Sequence, residues 1–288
     1  MTAITVIAIL AAAATIYGFV AMDSCERVKV APKGKKKKYQ VQEVPETGIL
    51  FMVIMAVALI VRYIAAAKYF GNETDMNCFI AWGDMVFKDG IGNFYSSDSF
   101  TDYPPGYMYI LYMVGAIRHV LGVAWNSTLS VMLTKTPAII ADLATAYLLF
   151  RIAGKRWTQK GAGILTAIYL FAPAVLLDGA IWGQTDAVFT FFVVLMIYLV
   201  TERKLIPSYF VFAVAVLVKP QSLIFTPVLI YGIIDQVFLD GFDWKNFWKN
   251  LGLGLAAIAM IALLMLPFGF KDALSQYTET LASYKFAS

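Results

Sequence analysis

Apolar runs close to twenty residues long recur along this chain of 288 residues, and they decide what it can fold into. A run of that length matches the roughly 30 Å hydrocarbon core of a bilayer. Inside lipid no water satisfies a backbone N–H or C=O, so such runs must be helices. The clearest runs are 47–70, 129–150, 161–181 and 251–270, with shorter ones at 187–200, 205–218 and 222–234. Charged residues make up only 15% of the chain, against about a quarter in a soluble domain. The expected fold is an all-α integral membrane protein, a polytopic bundle of about seven to nine membrane helices.

Charge orients the bundle. Lys and Arg resist translocation far more than Asp and Glu do. Placing 23–46, 151–160, 201–207 and 235–250 on the inner side gathers 15 of the 23 Lys and Arg there. Ten of the nineteen acids then fall on the outer side. Residues 1–22 read as an uncleaved anchor, since no Lys or Arg lies in their n-region. The basic stretch behind them, with Lys35–Lys38, reads as a solvated run that sets topology, with binding of anionic lipid as the alternative. The chain thus divides into an anchor with a basic loop, 1–46, and a membrane module, 47–288. The segment 106–123 is expected to be interfacial or re-entrant, because a full crossing would put the basic 151–160 loop outside. The aromatic segment 235–250 reads as an amphipathic surface element. Cys25 and Cys78 fall on opposite sides and are not expected to pair. The net charge of +4 reflects loop asymmetry and points to no nucleic-acid partner.

The longest polar interruption, 71–106, lies on the outer side and holds six of the nineteen acids. Asp75, Asp102, Tyr103, the Gln184 and Asp186 turn, and the Lys219 and Gln221 turn all reach that face. Helix-end turns leave backbone groups unpaired and favour polar contacts. Such a cluster can meet a substrate with a polar head and a lipid tail. Arg62 and Asp142 lie inside apolar runs. A charge at that depth is expensive and needs a partner, so Asp142 is expected to pair with Arg62 or Lys135. Trp82, Tyr95, Tyr103 and Tyr107 read as an interfacial belt, with stacking on a sugar ring as the alternative. His119 reads as interfacial, and one histidine makes no His-based metal site.

The order of motifs resembles a known family. Asp75, Phe79 and Trp82 are followed by Asp102-Tyr103-Pro104-Pro105, an intramembrane Asp142, Gly183-Gln184-Thr185-Asp186 and Lys219-Pro220-Gln221. This is similar to the GT-C fold glycosyltransferases, and most to a prokaryotic group resembling the GPI mannosyltransferases. The resemblance implies a GT-C-like bundle whose outer loop carries amphipathic helices. It implies an inverting hexosyltransferase that moves mannose or glucose from a polyprenyl-phosphate sugar to a glycan, lipid or protein acceptor in the cell envelope. Asp75 would then be the catalytic base. Asp102, Tyr103, Gln184, Asp186, Lys219 and Gln221 would contact substrate, and Lys135 or Arg62 the donor phosphate. No cofactor is required, with a divalent cation left open. The expected place is a prokaryotic plasma membrane, with the active face outside.

Family members of this kind have more helices, so the chain is expected to be the N-terminal part of a longer enzyme, completed by a C-terminal half or a partner chain. The competing readings are a transporter or lipid flippase, and a catalytically incomplete subunit. Transporters place charges near the midplane on broken helices. Here the acids gather on one face, and only Arg62 and Asp142 favour transport.

Overall fold

The computed structural model describes residues 46–95, 101–238 and 241–283. The expectations for the anchor 1–22, the basic loop and Cys25 fall outside those residues. Every regular element among the described residues is a helix. In chain order they are α1 (Glu46–Lys68), α2 (Glu73–Lys88), α3 (Pro105–Val120), α4 (Thr128–Ala153) and α5 (Gln159–Phe171). Then come α6 (Pro173–Leu176), α7 (Asp186–Thr201), α8 (Leu205–Val218), α9 (Thr226–Val237), α10 (Trp244–Met265) and α11 (Phe270–Ser283).

Three of these are long and apolar enough to cross a membrane, over Leu50–Lys68, Thr128–Ala153 and Trp244–Phe268. A fourth candidate is the pair Gln159–Phe171 and Pro173–Trp182, bent by 52°. The break has a plain cause. Pro173 has no N–H and cannot continue the α5 ladder, so a short α turn begins there and passes into a π turn over Leu177–Trp182. The sequence reading places one span at 161–181, and the structure bends that segment at Pro173. The runs at 187–200 and 205–218 form apolar helices of 16 and 14 residues. At 1.5 Å per residue these reach only about 24 and 21 Å, short of a bilayer core. The segment 235–250 is not one surface element. Asp243 accepts from the N–H groups of Lys245 and Asn246 and starts α10 there, so the second half of that stretch opens a span.

The chain forms two compact units. One comprises Met1–Gly71 with Ala138–Ala187, the other Asn72–Pro137 with Val188–Ser288. In the first unit α1 packs against α5 and the π turn. Gly71 is required at their contact. It has φ +103°, and a Cβ there would lie 2.2 Å from the Trp182 carbonyl oxygen. The core of this unit is polar at one point. Arg62, wholly buried, donates from Nε to Asp142 at 3.1 Å and from Nη2 to the Leu170 carbonyl at 2.9 Å. Leu170 is in the last turn of α5, where carbonyls lose their helical partners. Arg62 therefore supplies both a counter-charge and a cap. Tyr169 Oη donates to the other Asp142 oxygen at 3.3 Å.

In the second unit α2 and α3 form a tight hairpin. A Cβ on Gly115 would lie 2.2 Å from the Gly83 carbonyl oxygen, so the two backbones touch where neither residue has a side chain. Asp84, Arg118 and His119 close one end of the hairpin. Arg118 Nη1 lies 2.9 Å from Asp84 and also donates to the Ile80 carbonyl, while His119 stacks on Phe87. The start of α3 meets the end of α8, where a Cβ on Gly106 would fall 2.5 Å from the Leu217 carbonyl carbon. A separate apolar core joins α7, α8, α9 and α10 through Met196, Tyr209, Phe212, Val216, Leu229 and their neighbours.

Candidate functional site

The polar stretch 71–106 is largely a helix. Asn72 caps α2 by accepting from the Asp75 N–H at 3.0 Å. Asp75 thus sits in the first turn, where a carboxylate meets the positive end of the helix dipole. The inner face of α2 carries Met76, Phe79, Ile80, Gly83 and Val86, all buried.

Aromatic residues hold the next part in place. Phe79, Trp82, Tyr103 and Tyr107 form a cluster with ring centroids 5.6 to 5.8 Å apart. Trp82 and Tyr107 are 4% and 2% exposed, so neither belongs to an interfacial belt nor offers a face to a sugar. Their apolar bodies pack at the α2–α3 contact instead. Tyr95 donates to the Tyr103 carbonyl at 2.8 Å. Gln276 of α11 donates to the Thr101 carbonyl. The loop bearing Asp102 and Tyr103 is thereby tied at both ends, and Gln276 is a contributor that no local motif announces.

Lys219 ends α8 in extended backbone. Its ammonium lies 5.9 Å from the Tyr103 ring centroid and 5.6 Å from that of Phe189. The half-exposed lysine is thus held against two aromatic faces, an arrangement that attracts a cation electrostatically. Partial burial raises the Asp102 carboxyl above its ordinary range. A backbone hydrogen bond lowers it, neighbouring Asp75 raises it and Lys219 lowers it. Asp75, Asp102 and Lys219 therefore share one electrostatic neighbourhood.

Cys78, one turn beyond Asp75, lies in the same field. Burial pushes its thiol above the ordinary 9.0, and Asp102 and Asp75 add to that because they repel the thiolate. In a Cys25→Ser background, maleimide labelling of Cys78 should be slow at neutral pH and still be climbing at about pH 9, since the thiolate is the nucleophile. Asp102→Asn should speed labelling at fixed pH. A rate already on its plateau at neutral pH, followed by mass spectrometry, would contradict this electrostatic picture.

The other expected site residues are placed differently. Gln221 is exposed on the 3-10 turn Pro220–Phe225. Lys135 is buried within α4. Arg62 is no donor-phosphate contact, because it is wholly buried and its guanidinium is spent on Asp142, Leu170 and Ala58. Gln184 and Asp186 belong to the first unit. There Gly183, in left-handed backbone at φ 92°, ends the π turn, and the N–H groups of Gly183 and Gln184 both donate to the Asp178 carbonyl. Among the described residues no three His, Cys, Asp or Glu side chains gather closely enough to hold a metal ion.

Comparison with known proteins corrects the expected activity. The family described as GPI transamidase subunit PIG-U matches residues 83–286. No curated protein matches the chain. The match covers Asp102, Gln184, Lys219 and their neighbours, and begins after Asp75. It is a family of transamidase subunits and not of glycosyltransferases, so the hexosyltransferase reading is overturned. The extent of the match settles the family: this integral membrane chain belongs to that of the GPI transamidase subunit PIG-U.

Proposed function

We propose that the chain is a non-catalytic membrane subunit of a transamidase-like assembly acting on GPI, and that it holds the polar head of a lipid. Of the readings open to the sequence, the incomplete subunit working with a partner chain is the one that family membership supports. In this reading the chain uses its Asp75, Asp102 and Lys219 site to bind.

The observation that carries the proposal is the Asp75, Asp102 and Lys219 neighbourhood, with Lys219 against Tyr103 and Phe189. Two carboxylates accept hydrogen bonds from hydroxyls, and an ammonium meets a phosphate oxygen. Charge-assisted bonds of that kind are about twice as strong as neutral ones. A hydroxyl-rich, phosphate-bearing head satisfies both halves. The apolar helices beside it suit the acyl chains.

The test has two arms. The chain in nanodiscs is titrated with a GPI lipid and with a phosphatidylinositol of the same acyl chains. The glycolipid should bind more tightly, and Lys219→Ala or Asp102→Asn should each remove about tenfold or more of that preference, as expected for hydrogen bonds to charged groups. Equal binding of both lipids would overturn the head-group role. Separately, the tagged chain purified from its own membranes should carry stoichiometric partners, and a monodisperse single chain would overturn the subunit role.

A further inference from the structure

The junction between α9 and α10 presents aromatic side chains outward instead of burying them. Phe238, Phe242, Trp244 and Trp248 are each between 45 and 64% exposed. They are not scattered. Phe242 lies 5.3 Å from Phe238, 4.7 Å from Trp244 and 5.7 Å from Phe247, and Phe247 lies 5.3 Å from Trp248, measured between ring centroids. The result is one continuous ladder along the outside of the turn.

Polar bonds on the inner side fix that ladder. Asp243 caps α10 through the Lys245 and Asn246 N–H groups. Asn246 Nδ2 donates to Asp243 Oδ2 at 2.9 Å and to the Gln236 carbonyl at 3.3 Å. Asn250 is held by Tyr209 Oη at 3.1 Å and donates to the Gln236 side chain at 3.5 Å. With its amides and carboxylate turned inward, the junction shows aromatics and cations outward. Lys245 and Lys249 are exposed, each next in sequence to a tryptophan, and Arg203 and Lys204 are exposed at the turn before α8. Of the described acids at this turn, Asp243 serves as the cap and Asp235 lies 3.6 Å from Arg203.

We infer that this junction is a binding surface for anionic phospholipid, with the aromatic ladder at the glycerol and carbonyl level of the leaflet and Lys245 and Lys249 on the headgroup phosphates. Two observations select a lipid leaflet over a protein surface. The ladder is continuous with the candidate span Trp244–Phe268, so it stands where that helix enters hydrocarbon. Its outward charge is basic, which complements acidic headgroups. Trp and Tyr concentrate at this depth because their rings are apolar with one polar edge, and the lysine stems cover apolar surface while their heads stay in water. The surface is separate from the Asp75 and Lys219 site, and the inference does not depend on the glycolipid reading.

The test uses the full chain in nanodiscs with brominated lipids, which quench tryptophan emission on contact. Bromines close to the ester carbonyls, carried on phosphatidylserine, should quench more than the same bromines on phosphatidylcholine. The paired substitution Trp244→Phe with Trp248→Phe should abolish that extra quenching, and the four other tryptophans serve as the internal baseline. Lys245→Gln and Lys249→Gln should each cut the phosphatidylserine preference about fivefold while leaving carbonyl-level contact intact. Both variants change exposed positions, and circular dichroism of the same samples reports that helices persist. Equal quenching by the two lipids would overturn the anionic selectivity. No quenching of Trp244 and Trp248 by either lipid would overturn the surface itself, showing that water or another subunit covers it.

Discussion

Asp142→Ala should unfold the first unit. The substitution leaves the Arg62 guanidinium wholly buried with its counter-charge gone, and strips Tyr169 Oη of its acceptor. Removing one partner of a buried ion pair costs about 3–5 kcal/mol, because the remaining charge is uncompensated. That is a large share of the 5–15 kcal/mol by which typical domains are stable. Thermal unfolding of the detergent-purified protein, followed by tryptophan emission and by size-exclusion recovery, should show a large drop in midpoint and yield. The double change Arg62→Met with Asp142→Leu should restore most of the loss, since well-packed apolar residues often replace a buried pair at little cost. Asp235→Asn is the control. Its partner Arg203 is 77% exposed, and exposed pairs contribute about 0–1 kcal/mol. An Asp142→Ala protein that melts with wild type would remove the pair from any structural role.

The same pair marks how far the sequence could be read. A charge at the depth of Arg62 demands a partner, and both Asp142 and the need for pairing are visible in the residues. The choice between Arg62 and Lys135 as the Asp142 partner is not visible, because 80 residues separate Arg62 from Asp142 and no local pattern sets the rotation of either helix. Hydrophobic length located the spans near 47–70 and 129–150, but the last span begins at Trp244, ahead of the apolar run at 251–270. The break at Pro173 was legible in principle, since a missing N–H is a local fact. The helix Glu73–Lys88 was also written in its pattern, with Met76, Phe79, Ile80, Gly83 and Val86 on one stripe. It is an amphipathic helix of the kind the resemblance implied for that outer loop. The aromatic cluster around Phe79 could not be foreseen, because an interfacial tyrosine and a core tyrosine look alike until their neighbours are known. Gln276 and Thr101 are 175 residues apart, and only the fold joins them.

Function was legible in its surroundings more than in its chemistry. Asp102-Tyr103-Pro104-Pro105, Gly183-Gln184-Thr185-Asp186 and Lys219-Pro220-Gln221 led toward proteins of the GPI system, and the family match lies in that system. They did not distinguish a protein that transfers a sugar from one that assembles with a transamidase. The reason is physical. Carboxylates, amides and an ammonium that recognise a lipid head are the same groups whether or not a bond is then made. A base differs from a hydrogen-bond acceptor only by its placement against a reacting atom, and spacing along a chain does not carry that placement.

Gly115→Ala should break the α2–α3 hairpin, and with it the frame that holds Asp102. The added methyl would lie 2.2 Å from the Gly83 carbonyl oxygen and 2.7 Å from its carbon. Both atoms are backbone, so no rotamer change relieves the contact, and the two helices must separate. Forcing one methyl into a packed contact costs about 1–3 kcal/mol when side chains can move, and the rigid backbone here places the cost at the top of that range or above. Separation also pulls on the Arg118–Asp84 pair and the ring cluster that sits between the same two helices. Three other glycines grade the effect. Gly83→Ala brings its methyl 3.1 Å from the Leu111 carbonyl oxygen, a milder clash. Gly122→Ala meets nothing within 4 Å but has φ +61°, so only the left-handed strain of about 1–2 kcal/mol applies. Gly252→Ala meets nothing and sits inside α10, where alanine should stabilise by up to about 1 kcal/mol through helix propensity. The expected order of melting midpoints is Gly252→Ala highest, then wild type, Gly122→Ala and Gly83→Ala, with Gly115→Ala lowest. Cys78 labelling reads the consequence at the site, since opening the hairpin relieves the burial that raises its thiol and should speed modification at neutral pH. A Gly115→Ala protein with wild-type melting and unchanged labelling would mean that the two helices do not meet at Gly83.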